Sequence, residues 1–409
     1  MEQNLETYRA LIGSEAMDQL CHLAAAIKNA KIVHINSTRE GGGVAEILSR
    51  MIPLMKNLGL NVEWHVIQGD ADFFQCTKMF HNLLQGSHQV PPSPDLLRIY
   101  EETSKQNADR LRDVLQDADI VFIHDPQPLS LISHFPTRKG KWIWRCHIDL
   151  SSPANSILSY LKKTIELYDV CVFSMKDFAP NLSHPRYFIP PSIDPLSEKN
   201  IDLDPEEIQN TYAQFHINYN RPNLLQVSRF DRFKDPLGVI EAYRLAKRNY
   251  PKLQLILAGG GAIDDPEEAA VLKEIHASAK GDPDIHVLVL PSDAHRTINA
   301  LQRGASIVLQ KSLKEGFGLT VSEALWKSKP VIGGNTGGIL LQVINGETGL
   351  LATTPQEAAD RVHDFFQSPQ LALECGIRGK ALVQKKFLIT RQLRDYLEVM
   401  KDLLRWEVA

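Results

Sequence analysis

Short runs of apolar residues alternate along the chain with longer segments in which apolar residues recur every three or four positions. A short apolar run predicts a strand buried on both faces, and the longer period predicts an amphipathic helix. Strands and helices that alternate in this order favour parallel sheets with helices on both faces. The predicted strands cover residues 31–37, 61–67, 119–125, 141–148 and 169–174 in the first half and 223–229, 253–259, 285–290, 305–310 and 329–334 in the second.

Each half of the chain has enough predicted strands to form a sheet of its own. Between them, residues 188–208 are rich in proline, aspartate and serine and lack an apolar period, which is typical of a linker. A chain of 409 residues also exceeds the usual length of one domain. We therefore predict two doubly wound α/β domains, residues 1–200 and 201–389, and a final amphipathic helix over residues 390–409. Ligands of such sheets bind beyond the carboxyl ends of the strands, so candidate residues are sought there.

The composition argues against several classes of partner. The formal net charge is −4 and the isoelectric point is about 6.4, so the chain lacks the basic field that nucleic acid requires. Its five cysteines are scattered without CxxC spacing, which indicates reduced thiols rather than a disulfide framework or a zinc site. The amino terminus has no signal-peptide core and no apolar run approaches about 18 residues, so we expect a cytoplasmic protein without membrane contact.

A glycine-rich turn follows the first predicted strand. Gly41, Gly42 and Gly43 stand where the strand gives way to a helix, and such a turn lets backbone N–H groups approach an anion. The sequence is not GxGxxG, so a dinucleotide fingerprint is not supported. A tight strand–helix turn without a ligand would use the same glycines, but we favour contact with a ligand.

Polar residues follow two later strands of the first half. Asp125 precedes Pro126 at a strand end, where its carboxylate can accept hydrogen bonds from sugar hydroxyls or simply cap a turn. Arg145, His147 and Asp149 alternate along the chain and are predicted to share one face. His147 could bond a hydroxyl or a leaving-group oxygen there, and a buried histidine satisfied within the protein is the competing interpretation.

Two cations follow the first strand of the second half. Arg229 and Lys234 are five positions apart in one turn, where both could reach the same pair of phosphates. Arginine offers a planar fork of donors and lysine a point charge, a combination suited to a diphosphate. Two solvated surface cations are the alternative.

The stretch KEGFGLTVSEALW places two glutamates around a glycine-rich turn after another predicted strand. Gly316 and Gly318 free the backbone to turn N–H groups toward a ligand at the start of the next helix. Glu315 lies just before that helix. Glu323 lies within it and could bind both hydroxyls of a ribose, although its spacing from Thr320 also fits a capping box.

These residues together describe a site for a nucleotide sugar in the second half, with two cations for a diphosphate and two carboxylates for sugars. The first half offers the glycine-rich backbone, Asp125 and His147 for an acceptor. The spacing of Glu315 and Glu323 is moreover the E-x7-E pattern of retaining glycosyltransferases with the GT-B fold. Seven stretches resemble the trehalose glycosyltransferring synthases of glycosyltransferase family 4 in sequence and order: VHINSTREGGGVAEIL, FFQCTKMFHNLLQG, IHDPQP, WIWRCHIDLS, PPSIDPLSEKN, QVSRFDRFKDP and EGFGLTVSEALW.

The resemblance runs from about residue 30 to beyond residue 350. It implies two facing Rossmann-like domains, with the final helix packing back on the first. It also implies a retaining transfer of glucose from ADP- or UDP-glucose to free glucose, giving α,α-trehalose in a reaction that could be reversible. The residues expected to be catalytic are Glu315, Arg229, Lys234 and His147. Those expected to bind the donor are Gly316, Phe317, Gly318, Leu319 and Glu323, and those expected at the acceptor are Gly42, Gly43, Asp125, Arg145 and Asp149.

We expect small molecules alone as substrates, namely NDP-glucose, glucose and trehalose, and no permanently bound cofactor. Mg²⁺ could stimulate the reaction without being bound by the protein, since the acid pairs Asp70/Asp72 and Asp117/Asp119 fit surface acids better than a metal motif. A homodimer and the direction of the reaction are left open. So is the donor base, because Asp235 and the loops at 258–268 and 290–296 depart from the family pattern.

Three alternatives remain at this point. A trehalose phosphorylase of the same fold would bind inorganic phosphate at Arg229 and Lys234. A related transferase would use another small acceptor, and a catalytically silent sensor would bind the nucleotide sugar without turnover. The segment at 73–86 fits either an acceptor-side loop or a plain amphipathic helix.

Overall fold

The computed structural model describes residues 5–87, 90–260 and 266–405. Two predicted features extend outside these residues, the loop at 258–268 through its middle and the last helix through its final four positions.

The chain divides into two compact units. The first comprises Met1–Pro191 together with Ile389–Ala409, and the second comprises Ser192–Leu388. The division after Pro191 lies earlier than residue 200, within the proline-rich segment that indicated a linker. The carboxyl-terminal residues belong to the first unit.

Each unit is built on a six-stranded parallel sheet, as the alternation of strands and helices predicted. The strands of the first unit are β1 Lys31–Asn36, β2 Asn61–Val66, β3 Ile120–His124, β4 Lys141–Arg145, β5 Val170–Phe173 and β6 Arg186–Phe188. Those of the second are β7 Asn223–Val227, β8 Gln254–Gly259, β9 Ile285–Val289, β10 Ile307–Gln310, β11 Val331–Gly334 and β12 Leu350–Ala352. All ten predicted strands are confirmed. β6 and β12 were not predicted, because each is an edge strand of three residues without a long apolar run.

The strand orders create one topological switch point in each sheet. The first sheet runs β2-β1-β3-β4-β5-β6 and the second β12-β11-β10-β7-β8-β9. The chain leaves β1 toward β2 on one side and later returns to β3 on the other, and β7 has the same relation to β8 and β10. The loops that follow β1 and β3, or β7 and β10, therefore diverge and leave room for a ligand.

The helices cover both faces of these sheets. In chain order they are α1 Leu5–Ile12, α2 Ser14–Ala26, α3 Gly43–Asn57, α4 Ala71–Leu84, α5 Pro94–Arg110, α6 Arg112–Leu115, α7 Asn155–Ile165, α8 Pro205–Gln214, α9 Pro236–Lys247, α10 Pro266–Ala279, α11 His295–Gly304, α12 Leu319–Trp326, α13 Pro355–Gln367, α14 Pro369–Lys386 and α15 Ile389–Arg405. None of the helices in the described part of the chain is both long and apolar enough to cross a membrane.

The segment at 73–86 is an amphipathic helix, α4, and not a loop. Phe73, Phe80 and Leu84 on its apolar face are buried in the core of the first unit, whereas Phe74 is exposed. Asp70 caps the helix by accepting a hydrogen bond from the backbone N–H of Phe73 at 2.8 Å. The DxD string that begins at Asp70 therefore has a structural explanation in helix capping.

The carboxyl-terminal helix α15 packs against α2 and α3 of the first unit. Leu393, Leu397, Met400 and Leu403 form its buried stripe, at the three- and four-residue spacing of an amphipathic helix. Each such side chain contributes about 1.5–3 kcal/mol on burial, so α15 is an integral part of the first unit.

Candidate active site

The switch point of the second unit brings a lysine and a glutamate side chain into contact. Lys234 follows β7 and Glu315 follows the neighbouring strand β10, and Lys234 Nζ lies 2.7 Å from Glu315 Oε2. Ser312 Oγ also donates to Glu315 Oε2, at 3.1 Å. Glu315 is therefore a carboxylate held in place by a cation and a hydroxyl, at the edge of the sheet where ligands bind.

The local sequence explains how Lys234 reaches this position. The side chain of Asp231 accepts from the backbone N–H of Lys234 at 3.2 Å and so caps a short 3-10 turn. Gln226, on β7, donates to the carbonyl of Lys234 at 2.7 Å. The backbone N–H of Leu313 then joins this turn to the loop after β10 by donating to the carbonyl of Phe233 at 2.7 Å.

Arg229 lies beside this turn and remains partly open to solvent. Its Nη2 is 3.2 Å from Asp231 Oδ2, and 46% of its side chain is exposed. The fork of donors is thus oriented by one carboxylate while much of the guanidinium is accessible. Arg229 and Lys234 therefore both depend on Asp231, which the sequence analysis did not single out.

The glycine-rich turn after Glu315 is braced by a second glycine pair. The backbone N–H of Gly338 donates to the carbonyl of Glu315 at 3.0 Å. A Cβ on Gly337 would lie 1.9 Å from that same oxygen, so the close approach requires glycine. Gln342 Nε2 completes the brace by donating to the carbonyl of Phe317 at 2.6 Å. The sequence around these glycines, GGNTGGIL, gave no signal for this role.

The helix α12 begins at this turn without a side-chain cap. Gly318, in the left-handed region with φ of +83°, is its N-cap residue. The Thr320–Glu323 capping box is therefore not formed, and the capping explanation of Glu323 is wrong. The side chain of Phe317 is buried and packs against Phe387 with ring centroids 5.3 Å apart, while Leu319 starts the helix.

Glu323 is a buried carboxylate with two named partners. Gln302 Nε2, from α11, donates to Glu323 Oε2 at 3.0 Å. Lys199 Nζ lies 3.8 Å from Glu323 Oε1. These partners keep the carboxylate fixed inside the second unit, and neither was predicted because both are distant in sequence.

In the first unit, Gly41 and Gly42 have φ angles of +74° and +84°. A Cβ at either position would meet no atom within 4 Å, so glycine is needed for the backbone conformation and not for space. Gly42 is the N-cap residue of α3, which begins at Gly43. The exposed glycines thus lead into the amino terminus of a helix, where the dipole favours negative charge.

Asp125 follows β3 across the switch point, with a φ of +64°. Its Oδ1 accepts from the backbone N–H of His147 at 2.7 Å, and its own N–H donates to the carbonyl of Arg145 at 2.9 Å. Burial raises its pKa to about 6, against the opposing effects of the His147 N–H and the Arg145 charge. Asp125 therefore stabilises a turn, and it is also a half-buried carboxyl group whose pKa is raised toward neutrality.

Arg145 is placed differently from the prediction. Its side chain is fully buried, and the guanidinium donates to the carbonyls of Ile189 at 2.8 Å, Val172 at 3.3 Å and Cys146 at 3.2 Å. These bonds join β4 to the neighbouring strand and to the chain beyond β6. Arg145 has a structural role, and we omit it from the residues proposed to contact a sugar.

The prediction that Arg145, His147 and Asp149 share a strand face is also wrong. β4 ends at Arg145, so the alternation of a strand does not continue to the other two residues. Asp149 is buried, and its Oδ1 accepts from the backbone N–H of Ser151 at 2.8 Å in a local turn.

His147 is the outer member of a chain of three histidines. His124 Nδ1 lies 3.2 Å from His147 Nε2, and His34 Nδ1 lies 3.0 Å from His124 Nε2. Burial lowers the pKa of His147 well below its ordinary value, and the nearby charge of Arg145 and the ring of His124 lower it further. His147 is therefore neutral at physiological pH. His34 and His124 were missed because only their strand partners bring them together.

Among the residues that the structure describes, no group of three or more His, Cys, Asp or Glu side chains could hold a metal ion.

Known proteins resemble this chain along most of its length. Residues 34–180 match the family model "Trehalose synthase, N-terminal domain", and residues 207–382 match "Glycosyl transferases group 1". The trehalose synthase of Rubrobacter xylanophilus is 44% identical over 406 residues, covering 98% of this chain and 97% of that protein. The trehalose synthase of Pyrococcus horikoshii is 40% identical over 405 residues, with the same coverage.

More distant proteins share the fold or part of the sequence. A trehalose phosphorylase of Pleurotus pulmonarius is 30% identical over 424 residues, covering 90% of this chain and 57% of that protein. The structure of a sucrose-phosphate synthase from Thermosynechococcus elongatus is 18% identical, with a TM-score of 0.69, and covers 93% of this chain and 100% of that one.

Proposed function

The chain belongs to the trehalose synthase family of glycosyltransferases, and from this premise we propose that it joins glucose from ADP- or UDP-glucose to free glucose. The product is α,α-trehalose, formed with retention of the donor's anomeric configuration. The family membership, the GT-B fold and the glycosyltransferase activity predicted from the motifs are confirmed. The observation that carries the finer proposal is the contact of Lys234 with Glu315, with Arg229 beside it.

The second unit supplies the groups that a nucleotide-sugar donor needs. Arg229 and Lys234 bind the diphosphate, where a fork of donors and a point charge complement the phosphate oxygens. Glu315 accepts hydrogen bonds from hydroxyls of the donor glucose, and the backbone N–H groups of Gly316 and Gly318 donate to its oxygens. Glu323, fixed by Gln302 at 3.0 Å, accepts from the hydroxyls of the ribose.

The first unit supplies the acceptor side. Gly42 and Gly43 lead into the amino terminus of α3, while Asp125 and His147 lie across the same switch point. Asp149 is buried in a local turn, so its part at the acceptor is to shape the loop after His147. The acceptor glucose binds to these groups through its hydroxyls.

The transfer proceeds on one face of the donor sugar. The bond from the anomeric carbon to the diphosphate breaks, and the acceptor hydroxyl forms its bond on the same face. The departing phosphate oxygen takes the hydroxyl proton, and Arg229 and Lys234 stabilise the negative charge that develops on the diphosphate. Glu315 Oε2 already accepts from Lys234 and Ser312, which disfavours its use as a covalent nucleophile.

The reaction needs no metal bound by the protein. Any stimulation of the reaction by Mg²⁺ would come from its binding to the diphosphate of the donor. If Arg229 and Lys234 bound inorganic phosphate instead, the enzyme would be a phosphorylase. This is the second candidate function, and the similarity to the Pleurotus trehalose phosphorylase supports it.

A pair of arginine variants in one turn tests the donor site. Arg229→Ala removes a cation from the proposed diphosphate site, so we expect kcat/KM for the donor to fall at least about 100-fold. Arg232→Ala is the matched control, because Arg232 lies in the same turn but is exposed and pairs with Glu274 at 2.7 Å. Its donor kinetics should stay within about twofold of wild type. Equal losses in the two variants would contradict the assignment.

A further inference from the structure

The three-histidine chain reaches from the core of the first unit to the proposed acceptor site. His34 lies within β1, His124 is the last residue of β3, and His147 follows β4. The rings of His34 and His124 are 5.3 Å apart between centroids, and those of His124 and His147 are 5.5 Å apart. The inner ring is also held against Phe122, stacked at 4.6 Å with the ring planes 3° apart. The stacking on Phe122 thus holds the ring of His34, the inner member of the three-histidine chain, in place.

Each of the three imidazoles is neutral. Burial lowers the pKa of His34 to about 3 and lowers that of His124 well below its ordinary value. A neutral imidazole carries one N–H and one bare nitrogen. Each contact along the chain therefore joins one donor to one acceptor, and the tautomer of one ring determines the tautomers of the others.

Only two proton orders satisfy both contacts. In one order every ring is protonated on Nδ1, so His34 donates to His124 and His124 donates to His147. In the other order every ring is protonated on Nε2, and the donation runs inward from His147 to His34. The two orders present opposite faces to a sugar, because the free Nδ1 of His147 is a donor in the first and an acceptor in the second.

The inner end of the chain discriminates between these orders. His34 Nε2 is buried and has no hydrogen-bond partner among the described residues. The inward order would leave an N–H donor unpaired there, whereas the outward order leaves only a lone pair. Buried N–H groups without an acceptor are rarer in proteins than acceptors without a donor. The outward order, with Nδ1 protonated throughout, is therefore favoured.

We propose that His34 and His124 are positioning residues that hold His147 in the Nδ1–H tautomer, so that His147 donates a hydrogen bond to the reacting sugars and does not accept their protons. The hydrogen bond from His147 to a sugar rests on the proposed function, but the tautomer of His147 does not. His147 is then excluded as the base that activates the acceptor hydroxyl, which agrees with proton transfer to the departing phosphate.

Nitrogen NMR of the intact, ligand-free protein tests the tautomer directly. Two-bond ¹H–¹⁵N correlations distinguish protonated from bare ring nitrogens, and single variants of His34, His124 and His147 assign their signals among the 14 histidines. We expect Nδ1–H at all three residues near pH 7, although free histidine prefers Nε2–H. An Nε2–H tautomer at His147 would overturn the proposal.

Two variants of His124 test its effect on the reaction. An asparagine amide stands where Nδ1 was and can still donate to His147, whereas a glutamine amide stands where Nε2 was and faces His34. We expect His124→Asn to keep kcat within about threefold of wild type and His124→Gln to lose about tenfold, equivalent to about 1.4 kcal/mol. Thermal unfolding of both variants reports any general damage to the buried site.

The pattern of results separates this proposal from the proposed function. A purely structural role of His124 would make the two variants equally impaired, and that result would contradict positioning. If no trehalose forms with any donor but NMR finds Nδ1–H, the proposed function fails and the histidine chain stands. If trehalose forms but His147 carries its proton on Nε2, the reverse holds.

Discussion

At the scale of single residues, Asp235 shows how the chain meets a backbone requirement with a side chain. It is one of the positions at which the chain departs from the family pattern, and its φ of +51° is a conformation that glycine adopts most readily. Aspartate tolerates this region better than most residues. Its carboxylate accepts from the backbone N–H of Gly238 at 3.1 Å and pairs with the buried Lys311, so it caps α9 and neutralises a cation.

The pairing of Asp235 with Lys311 predicts that replacing Asp235 by glycine lowers the stability of the protein. Asp235→Gly keeps the backbone conformation but leaves a buried ammonium without its carboxylate. We expect the free energy of unfolding of the second unit to fall by about 3 kcal/mol, as when one partner of a buried pair is removed. Chemical denaturation followed by fluorescence measures the change.

The double variant Asp235→Gly/Lys311→Met is the control. It removes both charges, so its stability should return to within about 1 kcal/mol of wild type. A single variant as stable as the wild type would show that Lys311 does not depend on Asp235.

At the scale of elements, apolar runs predicted every long strand because a buried parallel strand needs apolar residues on both faces. The same signal could not predict β6 or β12, which are short edges, or the point at which β4 ends. The spacing of Thr320 and Glu323 predicted a capping box that does not form, because Gly318 starts α12 in its place. Local spacing thus predicts that a helix or strand exists more reliably than it predicts the residue at which that element begins.

The glycine turn before α3 gives a prediction at this scale. Gly42 has a φ of +84° and a ψ of 159°, a conformation essentially confined to glycine, so Gly42→Ala costs about 1–3 kcal/mol of stability. If the turn contacts the acceptor, the KM of the Gly42→Ala variant for glucose should rise about fivefold, which corresponds to a loss of about 1 kcal/mol of binding free energy. Steady-state kinetics at saturating donor provide the measurement.

Gly59→Ala is the matched control for Gly42→Ala. Gly59 follows the other end of α3, has a φ of +80° and has no atom within 4 Å of a Cβ. Gly59→Ala should also be destabilised, because alanine is strained at this φ, and it should leave KM for glucose unchanged. A similar rise in KM for both variants would indicate general strain and not acceptor contact.

At the scale of the whole molecule, both units place their polar residues beside a topological switch point. The rule that ligands bind beyond the carboxyl ends of parallel strands led from sequence to Lys234, Glu315, Asp125 and His147. It could not predict that Lys234 contacts Glu315 or that His147 continues into a histidine chain. Those contacts depend on which strands are neighbours in the sheet. The spacing of residues along the sequence does not predict that order.

In the proposed reaction, the enzyme makes α,α-trehalose from a nucleotide sugar and free glucose. The most direct measurement is ¹³C NMR of the products formed from [1-¹³C]glucose with unlabelled ADP- or UDP-glucose. We expect α,α-trehalose labelled in one ring only, with release of the nucleoside diphosphate. Labelled products without an α,α linkage would contradict it, and so would trehalose that forms from glucose 1-phosphate, and is broken down by inorganic phosphate, without any nucleotide sugar.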